Sequence, residues 1–165
     1  MVLFLVAAVA FVASLAIHVA TYFDVVATDR WPLAWVVYIL IFSLFGYGIA
    51  DAKARTGSRG KTPLFTAFSG STKSVAEILA GTLLFYALLV FTIGFLEPSE
   101  GQFKRVDGRP VLAQKGKVVR ELTESEYLHL EATQMRGFSA IVVFLSGTST
   151  LELLSLVLLK TEKRT

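Results

Sequence analysis

Cysteine is absent from the 165 residues, which removes disulfides, thiolate metal sites and thiol catalysis and leaves the redox compartment unassigned. Charge is scarce as well: 18% of residues are charged and 54% apolar, with a mean hydropathy of +0.62, whereas soluble domains carry about 25% charged residues. The few charges are kept apart from the apolar stretches, since none precedes Asp24 and none occurs from Ile78 to Leu96. Hydrocarbon imposes such segregation, because a charged side chain at a helix centre costs roughly 2.5 to 3.5 kcal/mol on insertion scales. A net charge of +3 is too small to point to nucleic acid. Only two histidines, His18 and His129, are present, and nothing in their spacing aligns them as a haem or metal pair. No metal site and no cofactor is expected.

What is present reads as an all-α membrane protein, a bundle of four transmembrane helices with a small β-hairpin or meander ahead of a long last helix. The spans fall at about 1–23, 33–50, 74–96 and 138–159, each near the ~20 residues that cross a bilayer as a helix. The first has no basic flank and exceeds the ~7 to 15 apolar residues of a signal peptide, so it reads as a retained span. Ala10, Ser14 and His18 recur along it every fourth residue, with Thr21 on the same face; that face should point into the bundle. Trp31 and Pro32 suit the interface and first turn of the second span.

Topology follows from the basic residues. The loop from Asp51 to Lys73 carries five Lys/Arg against one acid, and the tail adds Lys160, Lys163 and Arg164. The segment from Glu97 to Arg136 balances seven basic against seven acidic residues. The positive-inside rule then puts both termini and the 51–73 loop in the cytoplasm. Within that loop Pro63, Leu64, Phe65 and Phe68 form an apolar cluster expected to rest at the lipid boundary.

Segment 97–136 is the one sizeable insertion outside lipid, a hairpin followed by a helix within a single membrane domain. Asp107-Gly108 is a hairpin signal between a strand at 103–106 and another at 109–113, and Lys115-Gly116 offers a second turn before 117–121. Pro110 has no ladder donor and belongs at an edge or bulge. Thr123 and Glu126 have capping-box spacing and should start the last helix. Continuous from Thr123 to Leu159, that helix is about 55 Å long, so its first turns leave the membrane or bend at Gly137. The run G-R-P-V-L-A-Q-K-G-K-V-V-R-E-L-T-E-S-E-Y (108–127), followed by R-G-F-S (136–139), resembles a group of small bacterial inner-membrane proteins with four spans and no assigned activity. The resemblance implies a bacterial plasma membrane and the same hairpin-then-helix segment, and no chemistry.

Glu152 is the sharpest single residue, a carboxylate about 12 Å inside the end of the last span. Thr148, Ser149 and Ser155 share its face, and His18 is the other intramembrane polar group of note. Glu152 either glues helices or handles a proton or ion. Asp51 and Glu77 are acids on the same cytoplasmic side, explained by capping and interface pairing. Ser69 to Ser74 has no P-loop spacing, and no nucleophilic triad is in register, so no catalytic residue is named and the chain is not expected to be an enzyme. Two functions remain: an accessory protein of the inner membrane, docking another membrane or envelope protein or a second copy through Phe103, Arg109, Arg120, Tyr127 and Arg136; or a small oligomeric transporter or channel using Glu152.

Overall fold

The computed structural model describes residues 1–26, 33–56, 65, 68, 70–96 and 101–162. Helices α1 (Val2–Ala20), α2 (Leu33–Thr56) and α3 (Gly70–Leu96) are followed by a sheet of β1 (Gln102–Val106), β2 (Arg109–Gln114) and β3 (Lys117–Glu121), and then by α4 (Glu124–Glu162). All four helices are long and apolar enough to cross a membrane. α2 runs further toward its polar end than the sequence suggests, and α3 starts earlier, because Lys, Ser and Thr continue a helix at little cost once an apolar stretch has nucleated it.

α4 is the spine: α1, α2 and α3 all pack against it, and α1 also meets α2. Its 39 residues form one uninterrupted helix through Gly137. That glycine is a site of close approach, where an added Cβ would meet the Phe91 backbone at 3.5 Å. Ala10, Tyr38, Ile41, Val142 and Leu145 form the middle of the core, and Ala7, Leu44 and Leu153 continue it toward the N-terminal end of α1. The helices turn large apolar side chains outward: Val9 is 70% exposed, Ile39 66%, Ile78 67% and Phe85 69%. In water such faces would aggregate; against acyl chains they are the required surface.

α1 ends in a 3-10 turn, Thr21–Phe23, closed by Asp24 at φ 54 with the Val25 amide donating to the Ala20 carbonyl at 3.1 Å. This is a Schellman-type stop with Asp in the left-handed position glycine usually takes.

The sheet is an antiparallel meander in the order β1-β2-β3. Asp107 and Gly108 take φ 50 and 79, and Lys115 and Gly116 take φ 49 and 83, both pairs with the positive φ of the turns that fit strand twist. Pro110 lies in the central strand rather than at an edge or bulge. It is tolerated because it faces the end of β3, where its carbonyl accepts from the Leu122 amide at 2.9 Å and little ladder remains to donate to. Phe103 and Arg105 face α4, with Phe103 edge-on to Tyr127 and the Arg105 guanidinium 4.5 Å above the Tyr127 ring. Arg105 also pairs with Glu124, and Arg120 with Glu126.

Of the four residues in the two hairpin turns, Lys115 is the one with a Cβ that gains nothing from φ > 0. Lys115→Asn should raise thermal stability of the sheet by roughly 0.5 to 1 kcal/mol, read as slower amide exchange in β2 and β3.

Reciprocal hydrogen bonds start α4: the Glu126 amide donates to Thr123 Oγ1 at 3.2 Å and the Thr123 amide to Glu126 Oε2 at 2.8 Å. The Thr123 amide and the Arg120 guanidinium hold the Glu126 carboxyl below the usual carboxylate range, and Arg105 does the same for Glu124. With the folded values depressed, this stabilisation is complete above the unfolded carboxylate range and is lost as pH falls through the folded values. Protection of the amides in the first turn of α4 should therefore fall below about pH 4, with that of the later, apolar turns unchanged.

Candidate functional site

Two polar layers cross the bundle, one near the sheet and one near the opposite end, and α4 contributes to both. Along α4 Ser139, Ser146, Thr148, Ser149, Glu152 and Ser155 are each no more than 2% exposed. α1 presents Ser14 and His18, and the turn that follows presents Thr21, with similar burial, the face the four-residue spacing predicts.

At the end away from the sheet, Glu152 is 1% exposed and Oε2 accepts a hydrogen bond from the backbone amide of Phe65 at 2.6 Å. Phe65 holds φ 63, an unfavourable value for an aromatic residue, and its ring packs with Phe68, Ala76, Leu151 and Leu154. Phe65 and Phe68 are 4% and 7% exposed, so they tuck between α3 and α4 instead of resting at the lipid boundary. The reason is local: the carboxylate supplies an acceptor for an amide that hydrocarbon would leave unsatisfied. Opposite, Gly48 of α2 gives the side chain room, since a Cβ there would lie 3.5 Å from Glu152 Cγ. Ser155 donates to the Glu152 carbonyl and Ser149 to that of Leu145, so both hydroxyls are spent on their own helix. Thr148 Oγ1 has no partner among the described residues.

Glu77 is not part of this layer. It is more than half exposed and pairs with Lys73 at 3.8 Å along α3. Asp51 is half-buried in α2, and no group of three His, Cys, Asp or Glu residues stands together among the described residues.

Midway, the hydroxyls of Ser14 and Ser146 meet at 2.8 Å, joining α1 to α4. Each is also within reach of a carbonyl on its own helix, Phe11 for Ser14 and Val143 for Ser146. Two hydrogens serve three contacts, so the pair is an interlock between helices with no donor to spare.

Near the sheet, His18 joins three helices. Its Nδ1 lies 2.8 Å from Ser139 Oγ of α4, and its Nε2 2.6 Å from the Tyr86 hydroxyl of α3, which is in turn 3.1 Å from the Tyr22 hydroxyl. Ser139 donates its single hydrogen to the Arg136 carbonyl at 3.1 Å. With the Ser139 hydrogen so placed, Nδ1–H donates to Ser139, Nε2 accepts from Tyr86 and Tyr86 accepts from Tyr22, an assignment made from the network. Arg136 donates to the Thr21 carbonyl at 2.8 Å and lies 4.3 Å above the Tyr22 ring. Further out, His129 pairs with Asp24 at 2.9 Å.

Sequence reasoning singles out His18 and Arg136 but does not connect them, puts Ser14 on the buried face without its partner, and misses Tyr22, Tyr86 and Ser146. Tyr86 is the one polar ring in the uncharged stretch of α3, and that isolation was the signal available. Of the residues expected to dock a partner, Phe103, Arg120, Tyr127 and Arg136 fasten the sheet and α1 to α4, while Arg109 lies on the sheet's outward face and pairs with Glu121 at 3.5 Å. On that face Val106, Asp107, Arg109, Val111, Val118 and Glu121 line an open groove of about 400 Å³. Val111 is the buried floor, and Val106 and Val118 are 36% and 52% exposed.

No family model, no curated protein and no solved structure matches this chain.

Proposed function

We propose that this chain is a non-enzymatic accessory protein of the bacterial inner membrane, with both termini cytoplasmic, that docks another membrane or envelope protein through segment 97–136. The observation that carries the reading is the outward face of the sheet, where Val106 and Val118 stay exposed among Asp107, Arg109 and Glu121 around an open groove, a surface of mixed apolar and charged character. Its backbone is fixed by the contacts of Phe103, Arg105 and Arg120 to α4, so a partner meets a preorganised surface. Docking by the face is favoured over strand addition at β3. β3 pairs Arg120 with Leu112 and Val118 with Ala113, which leaves Val119 as an extra, bulged residue, and Lys117 and Arg120 charge the same edge. The orientation rests on the basic 51–73 loop and the basic tail.

Burial of Glu152 inside one protomer, against Gly48 and the Phe65 amide, favours helix gluing over a path lined by that carboxylate. The test is recovery of the tagged full-length chain in mild detergent, with quantitative mass spectrometry. A stoichiometric foreign partner is expected, and Val118→Asp should reduce its recovery at least tenfold, about 1.4 kcal/mol of binding, without altering the elution of the chain itself. Recovery of only a homo-oligomer, or a partner indifferent to Val118→Asp, would sink the reading.

A further inference from the structure

α1 and α3 both lean on α4 but have little backbone proximity to each other; what joins them near the sheet is the hydrogen bond from Tyr86 to His18 and the contact of the two phenols. We infer that His18 is a proton-operated latch, holding the sheet end of α3 to α1 and α4 when neutral and releasing it when protonated. A neutral imidazole fits the node because one nitrogen donates to Ser139 while the other accepts from Tyr86. A second ring proton turns Nε2 into a donor, so the Tyr86 hydrogen must swing toward Tyr22 and the Tyr22 hydrogen outward. The proton has a route in, because Tyr22 is 49% exposed and its hydroxyl reaches His18 through Tyr86 alone.

The charge, once there, is poorly placed. The groups around His18 are Thr21 and Tyr22 from its own end of the chain, Tyr86 from α3, and Ser139 and Arg136 from α4. Arg136 is the charged member of that set, its guanidinium 4.3 Å from the centre of the Tyr22 ring, which is itself 5.5 Å from the imidazole and perpendicular to it. Asp24, the acid just beyond the node, is engaged by His129. Two cations beside each other, with no carboxylate paired to either among the described residues, in a site where His18 is 2% exposed, favour separation of the helices.

The natural absence of cysteine permits a direct measurement. Val19→Cys on α1 and Leu89→Cys on α3, both about half exposed on the lipid side, carry spin labels in the full chain in nanodiscs without any partner. The interlabel distance is expected to lengthen as pH falls from about 8 to about 4. His18→Gln, which keeps a donor and an acceptor but takes no proton, should hold the short distance throughout. Tyr86→Phe should read long at every pH. A wild-type distance that ignores pH, an unchanged pH response in His18→Gln, or a short distance in Tyr86→Phe overturns the latch. Because no partner is present, none of these outcomes depends on whether the sheet docks one.

Discussion

Glu152→Ala is expected to lower the unfolding free energy of the chain by about 3 kcal/mol and to detach Phe65 from the bundle. The substitution leaves the Phe65 amide as a buried donor without its acceptor, a loss of roughly 1 to 3 kcal/mol, and opens a void beside Gly48. Phe65 is the weak point that makes the effect larger than one hydrogen bond. Its backbone sits at φ 63, about 1 to 2 kcal/mol above the ordinary region, and is held there while the carboxylate accepts its amide. Once released, the backbone relaxes and the rings of Phe65 and Phe68 lose their seat against Ala76 and Leu154. Glu152→Gln keeps an acceptor oxygen at the same place and should cost only about 1 kcal/mol. Equilibrium unfolding in mixed micelles, with a fluorescent thiol probe on Phe68→Cys to report undocking, checks both. Equal losses in the two variants would show that charge, rather than an acceptor for Phe65, is what the site needs.

Replacing Gly147 by leucine should be as damaging, for a different reason. A Cβ at this position would lie 2.7 Å from Leu83 Cδ1 on α3 and 3.3 Å from Phe11 Cε2 on α1, so the spine helix is flanked on both sides at one residue. The Leu83 methyl is the end of a flexible side chain and can rotate away from a single added carbon; Gly147→Ala therefore should cost about 1 kcal/mol. Leucine adds three more carbons and must push one or both neighbouring helices off α4, with an expected loss of about 3 kcal/mol or failure to assemble. The size-exclusion profile and unfolding midpoint measure this. Leu83→Ala should restore most of the stability of Gly147→Ala through a positive coupling in the double-mutant cycle, because the two changes share one volume. Additive losses would place the clash elsewhere.

Much of the architecture is legible in the residues because hydrocarbon and backbone chemistry act locally. Apolar stretches long enough to cross a bilayer locate the four helices, the turn pairs Asp107-Gly108 and Lys115-Gly116 locate the strands, and Thr123 with Glu126 marks the start of α4. The four-residue spacing of Ala10, Ser14 and His18 also identifies the buried face of α1, since helical period alone decides which side chains share a face. Partners are another matter. That Glu152 serves the amide of Phe65, that His18 meets Tyr86 and Ser139, and that Ser14 meets Ser146 depend on which helices lie side by side, and helix order is set by packing at Gly48, Gly137 and Gly147 rather than by hydropathy. Hydrophobicity and turn chemistry thus determined from the sequence alone that the chain has four apolar helices and a small sheet. Only the tertiary structure decided that α4 is the spine and where its polar side chains find partners, because a buried hydrogen bond needs two groups brought within 3 Å from distant parts of the chain.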